Sequence, residues 1–186
     1  MLTFRFLITM HNIKTILREI ILKRLRSQRQ PIVLPEFNSF ELGYLSGFCD
    51  GDGYLFFGKE YTGGSVQFKF HLILCNTNLS VLMYFKKLIR YGTISGVEGR
   101  TENAKPVYKY VLSHREALES ILPLLKFQIP RKEEGRKLMI EALKITAEHR
   151  THVTSIGENK YKNRLLQIDR RFRELNKRGR NKNVES

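Results

Sequence analysis

Between Leu42 and Gly53 the chain reads Leu-Gly-Tyr-Leu-Ser-Gly-Phe-Cys-Asp-Gly-Asp-Gly, with glycine at positions 43, 47 and 51. Apolar residues around these glycines predict a helix over Phe40–Asp50, capped by Asn38 or Ser39 and ended by Gly51–Gly53. Each glycine inside a helix costs about 1 kcal/mol relative to alanine. Their four-residue spacing, with Ser46 alongside, draws one stripe without bulk, against which another backbone can pack closely. The same helix ends in two carboxylates, Asp50 and Asp52, where the macrodipole is already negative. Two local rules are broken in one short segment, and such conflicts mark functional sites.

The chain has 186 residues, enough for one domain with a real core. Its 33 Lys and Arg against 18 Asp and Glu leave a net charge of +15. That balance favours a polyanionic partner, either nucleic acid or an anionic membrane surface. Cys49 and Cys75 provide neither a disulfide framework nor a metal-ligand set, and both are expected to be buried free thiols in a reducing compartment. No apolar run approaches the roughly 20 residues that span a bilayer. The opening Met1–Arg26 is a poor secretory signal, because Arg5, His11, Lys14 and Arg18 interrupt its apolar core. An organelle-import peptide and a basic amphipathic helix over Asn12–Arg29 both fit. Organelle, bacterium and phage remain open as the source.

Three regions follow from this pattern: a basic extension and linker over residues 1–35, a main domain over 36–168, and a basic tail over 169–186. Within the main domain, Tyr54–Lys59 and Val66–Cys75 read as strands around a turn at Tyr61–Ser65. The second strand alternates: Val66, Phe68, Phe70, Leu72 and Leu74 form an apolar face, and Gln67, Lys69 and His71 the opposite one. Leu79–Ile89 reads as a helix with Leu79, Leu82, Phe85 and Leu88 inward. A second hairpin pairs Gly92–Val97 with Val107–Ser113, and helices are expected over Arg115–Lys126, Arg131–Thr146 and roughly Lys160–Lys177. The expected class is α+β, a mixed αββαββα arrangement with extra C-terminal helices. Two hairpins side by side would make a curved antiparallel four-stranded sheet, covered by helices on one face and open to a ligand on the other.

If two copies of the Gly-stripe helix pack together, two Asp52 side chains and the last helix carbonyls converge. Hard oxygen ligands suit Mg²⁺, which could polarise a phosphate and activate water. Asp-Gly-Asp-Gly is not an EF-hand loop, since neither Asp has an acidic residue at its twelfth position. A plain acidic turn is the bland alternative, disfavoured by the preceding stripe and the net charge.

Leu45-Ser-Gly-Phe-Cys-Asp-Gly-Asp-Gly53 resembles the nine-residue signature of the LAGLIDADG homing endonucleases. The similarity continues through Leu74-Cys-Asn-Thr-Asn78, Gly92, Tyr110-Val-Leu-Ser113 and Leu122-Pro-Leu-Leu-Lys126, covering roughly Phe40 to Leu143. The resemblance implies metal-dependent cleavage of double-stranded DNA at a long pseudo-palindromic site, with Mg²⁺, or Mn²⁺ in its place. A single signature implies a homodimer joined through Gly43, Ser46 and Gly47, and no stable membrane association. It implies that Asp52 and the Gly51 carbonyl bind metal and that Asn76, or Thr77 with a one-residue slip, orders water. Lys132, or its rival Arg131, would sit near the scissile phosphate, and Gln67, Lys69, His71 and Lys109 would contact DNA. Bland readings stand beside these: Asn76 as a cap for the helix near Asn78, Lys132 as a solvated helix residue, Asp50 as structural.

Two other functions compete with cleavage. An intron maturase would bind intron RNA without cutting DNA. A membrane-surface protein would be anchored by Asn12–Arg29.

Overall fold

A computed structural model of the chain describes residues 32, 34–62, 65–97, 105–151 and 155–177. The described residues from Leu34 onward belong to one compact unit. The expected helix over Asn12–Arg29, the tip of the second hairpin and the chain beyond 177 lie outside the described residues.

The elements run α1 (Ser39–Asp52), β1 (Gly53–Thr62), β2 (Ser65–Asn76), α2 (Leu79–Ile89), β3 (Thr93–Val97), β4 (Val107–Leu112), α3 (Arg115–Ile121), α4 (Pro130–Thr151) and α5 (Ser155–Asn176). All four strands pair antiparallel in the order β1-β2-β4-β3, the expected α+β arrangement. Period-2 alternation decides the faces. Phe68, Phe70, Leu72 and Leu74 are buried with their partners Phe57, Tyr110 and Leu112. Helices supply the other side of this core through Leu45 and Cys49, Leu82, Phe85 and Ile89, Leu138 to Leu143, and Leu165, Ile168 and Phe172.

Several elements differ from expectation for identifiable reasons. Helix α1 runs two residues further, to Asp52, because Gly53 and not Gly51 leaves the helix in an extended conformation. Gly53 tolerates no side chain: a Cβ there would lie 2.7 Å from the Cys49 Cα. Leu79 is exposed, since it stands at the first position of α2; the buried stripe is Leu82, Phe85 and Ile89. The helix from Arg115 stops at Ile121 and gives way to a single 3-10 turn, Leu122–Leu124, where Pro123 has no N–H to donate. Helix α5 starts earlier than expected, at Ser155, and runs to Asn176, close to its expected end. Its Leu165, Ile168 and Phe172 keep helical spacing and bury together despite the surrounding cations. Cys49 is buried, whereas Cys75 is half-exposed. Among the described residues no helix is long and apolar enough to cross a membrane.

Candidate nucleic-acid interface and metal centre

Helix α1 begins with a reciprocal cap. Asn38 Oδ1 accepts from the Glu41 N–H at 2.8 Å, and Glu41 Oε2 accepts from the Asn38 N–H at 2.9 Å. It then buries only Leu45 and Cys49 and leaves Gly43, Gly47 and Gly51 exposed. Nothing lies within 4 Å of where a Cβ would stand on any of the three. The stripe borders a shallow groove closed on its far side by Leu124, Lys126 and Gln128. Ser46, expected on the stripe, is instead half-buried, and its Oγ accepts from the Lys126 N–H at 3.2 Å. This hydroxyl satisfies the chain's own backbone, and Ser46 still lines the same groove as Gly43 and Gly47.

At the C-terminal end of α1 the two carboxylates separate. Asp50 turns to the start of α4, where its oxygens accept from the N–H groups of Gln128 at 2.6 Å and Ile129 at 3.4 Å. Asp50 is thus structural, as its bland reading held. Asp52 is exposed, and its Oδ2 accepts from Asn76 Nδ2 at 2.8 Å. Asn76 is held at both ends, because its Oδ1 accepts from the Asn78 N–H at 2.8 Å. Asn78, not Asn76, is the cap of α2. The capping reading of Asn76 is thus corrected: its side chain braces the turn before the cap and holds Asp52.

Lys132 lies behind this turn. Its Nζ donates to the carbonyls of Cys49 at 2.9 Å and Gly53 at 2.8 Å, and to that of Asp50. It is half-buried, not the solvated helix residue of the bland reading, and Arg131 beside it is exposed. A mostly apolar cavity separates this corner from Phe127 and Phe172. Burial pushes the Cys49 thiol up to about 12, against the opposing effect of the Lys132 charge.

The uncovered face of the sheet carries Gln67, Lys69 and His71 on β2 and Lys109 on β4, as the alternation predicts. It is less purely polar than expected. Tyr54 and Phe56 of β1 are exposed there, and Ile73 is buried between its pairing partners Tyr54 and Val111. The cations are paired with these groups: Lys109 lies over the Tyr54 ring at 5.9 Å, and Lys69 is 3.9 Å from Glu60. His71 stacks on Phe56 with ring centroids 5.4 Å apart and shares a 3.0 Å hydrogen bond with Ser113. Burial holds the imidazole below its ordinary pKa, with Glu60 pulling the other way. The aromatic members were missed because polarity, and not exposure of rings, was used to define this face.

No protein-family model and no curated protein matches the sequence. Solved structures match in shape. The archaeal intron-encoded homing endonuclease I-Vdi141I, complexed with DNA, aligns with a TM-score of 0.59 and 18% identity, covering 77% of this chain and 89% of that one. I-CvuI, bound to an uncleaved DNA target in the presence of Mg, aligns at 0.55 with 17% identity over 76% and 85% of the two chains. The LAGLIDADG homing endonuclease I-SmaMI, bound to cleaved DNA, aligns at 0.51 with 18% identity over 77% and 50%. This chain has the LAGLIDADG homing-endonuclease fold. Helix α1 is the element that carries the segment resembling that family's signature, and Asp52 is the last acid of that segment. Among the described residues no three His, Cys, Asp or Glu side chains gather into a metal cluster.

Proposed function

We propose that this chain is a homing endonuclease that acts as a symmetric pair and makes a double-strand break in a long, nearly palindromic DNA site. One observation carries the reading. An uncovered stripe, Gly43, Gly47 and Gly51, leads directly to an exposed carboxylate, Asp52, that Asn76 already orients. Two such helices packed through their stripes bring two Asp52 side chains together, while one chain alone supplies half a site.

The donor set fits a divalent cation. Asp52 and the Gly51 carbonyl are hard oxygen ligands at one exposed corner, and Asp50 does not compete because both of its oxygens are taken by backbone N–H groups. Mg²⁺, or Mn²⁺ in its place, supplies Lewis-acid polarisation of the phosphate and an acidified water. The chain's own residues then divide the work. Asn76 fixes the Asp52 carboxylate, and Arg131, exposed at the start of α4, faces the phosphate chemistry. Gln67, Lys69, His71 and Lys109 contact bases and phosphates from the open face of the sheet. Likeness to I-Vdi141I, of which the chain covers 89%, and to half of I-SmaMI supports one signature helix per chain and hence a pair.

The test is incubation of the full chain with Mg²⁺ and a duplex carrying the uninterrupted insertion site of its intron. A double-strand break is expected, and it disappears in Asp52→Asn while duplex binding persists. Cutting that survives Asp52→Asn removes the metal role of this residue. Stimulated intron splicing without any nicking, with Mg²⁺ or Mn²⁺, replaces the reading with that of an RNA maturase.

A further inference from the structure

Two charged side chains cross between α1 and α4 in opposite directions. Asp50, from the end of α1, accepts backbone N–H groups of Gln128 and Ile129 immediately before α4 starts at Pro130. Lys132, from the first turn of α4, donates to the carbonyls of Cys49, Asp50 and Gly53. An ammonium has three N–H donors, and three carbonyls take them. Helix α1 has no basic residue in its own last turn, and this distant cation meets the negative end of its dipole. The Gly51 carbonyl is not among the three, and neither is the Asp52 carboxylate. Lys132 therefore holds the turn on both sides of the proposed metal ligands without occupying either of them.

We propose that Lys132 is a positioning residue that fixes the end of the signature helix, and with it Asp52, and that it does not contact the scissile phosphate. A lysine with all its donors engaged has none to offer a phosphate, which leaves that contact to Arg131. The consequence for cleavage rests on the endonuclease reading; the consequence for the turn does not.

The experiment uses the full chain and three variants: Lys132→Met, Lys132→Arg, and Leu165→Ala as a core-destabilised control far along α5. In protein free of DNA and metal, the Asn76 side-chain amide resonances report its bond to Asp52. They are expected to move toward solvent-exposed values in Lys132→Met and Lys132→Arg and to stay in place in Leu165→Ala. Arginine keeps the charge, but its flat fork cannot address three converging carbonyls. With cleavable DNA, both Lys132 variants are expected to lose turnover on the order of a hundredfold, the scale set by a misplacement of about 1 Å at a reacting centre. The DNA concentration for half-maximal rate should not change. Unmoved Asn76 resonances in Lys132→Met overturn the proposal, and so does Lys132→Arg cutting at the parent rate, as a phosphate contact would allow. If Lys132→Met does not fold, the arginine variant decides by the same two readouts. Moved resonances in a protein that cuts no DNA leave the positioning role intact and overturn the endonuclease reading alone.

Discussion

Helices α1 and α2 both start from an asparagine cap and both pack on the core face of the sheet, yet their C-terminal ends are built in opposite ways. Helix α2 carries Lys86 and Lys87 in its last turn and closes on Arg90, a left-handed residue with φ 67° whose N–H bonds the Lys86 carbonyl. Everything it needs is local. Helix α1 ends in Asp50 and Asp52, has no cation in its last turn, and is closed by Lys132 from 79 to 83 residues away. Its glycines are exposed and uncovered, whereas α2 puts Leu82, Phe85 and Ile89 fully into the core. The contrast teaches that α2 is shaped by folding alone, while α1 keeps two features that folding does not reward: a bare stripe and a carboxylate against its own dipole.

The largest effect that can break this comparison lies in α2. Phe85 is completely buried and touches both Tyr44 and Phe48 of α1, with ring centroids 5.2 and 4.9 Å apart. Phe85→Ala is expected to cost about 3–5 kcal/mol, read as a fall in the denaturation midpoint. A loss under about 1 kcal/mol would mean that α2 does not anchor the core beneath α1.

The same contrast explains what could be read from the sequence. Helix α2 was legible in its boundaries, and β2 in its alternation, because both report nearest-neighbour physics. Asp52 and the stripe were legible because they violate that physics. The destination of Lys132 was not, since its partners are backbone carbonyls, which carry no residue signature. The bond from the Lys126 N–H to the Ser46 hydroxyl was hidden for the same reason, since a backbone N–H has no residue signature either. The reach of α5 was legible too, since a helix was expected to about Lys177; what the density of arginine hid is that Phe172 joins the core.

A smaller effect on the chain, with a larger one on assembly, is expected at Gly47. Helix propensity alone predicts that Gly47→Leu stabilises the single chain by up to about 1 kcal/mol, since nothing stands within 4 Å of the new Cβ. If α1 is kept bare for a second copy, the same change shifts the protein from dimer to monomer in sedimentation equilibrium and abolishes cutting. A variant that melts higher and still dimerises would show that the stripe has another purpose. The opposite signs of the two readouts separate assembly from folding.

The smallest effects lie at the N-terminal caps, where the two helices look alike and should part company. Asn38→Ala removes the reciprocal pair with Glu41, and Asn78→Ala removes a bond of 3.0 Å from the Ser80 N–H. Each is expected to lower stability by about 1 kcal/mol in urea titration. Their consequences for the site differ. The Asn78 N–H is also the donor that holds Asn76 Oδ1, and Asn76 in turn orients Asp52. Loosening the start of α2 therefore reaches the end of α1 through one side chain, so Asn78→Ala should slow cleavage at saturating DNA where Asn38→Ala does not. Equal rates in the two variants would mean that Asn76 keeps Asp52 in place without support from α2. In that case the locally built helix contributes only its core face to the site.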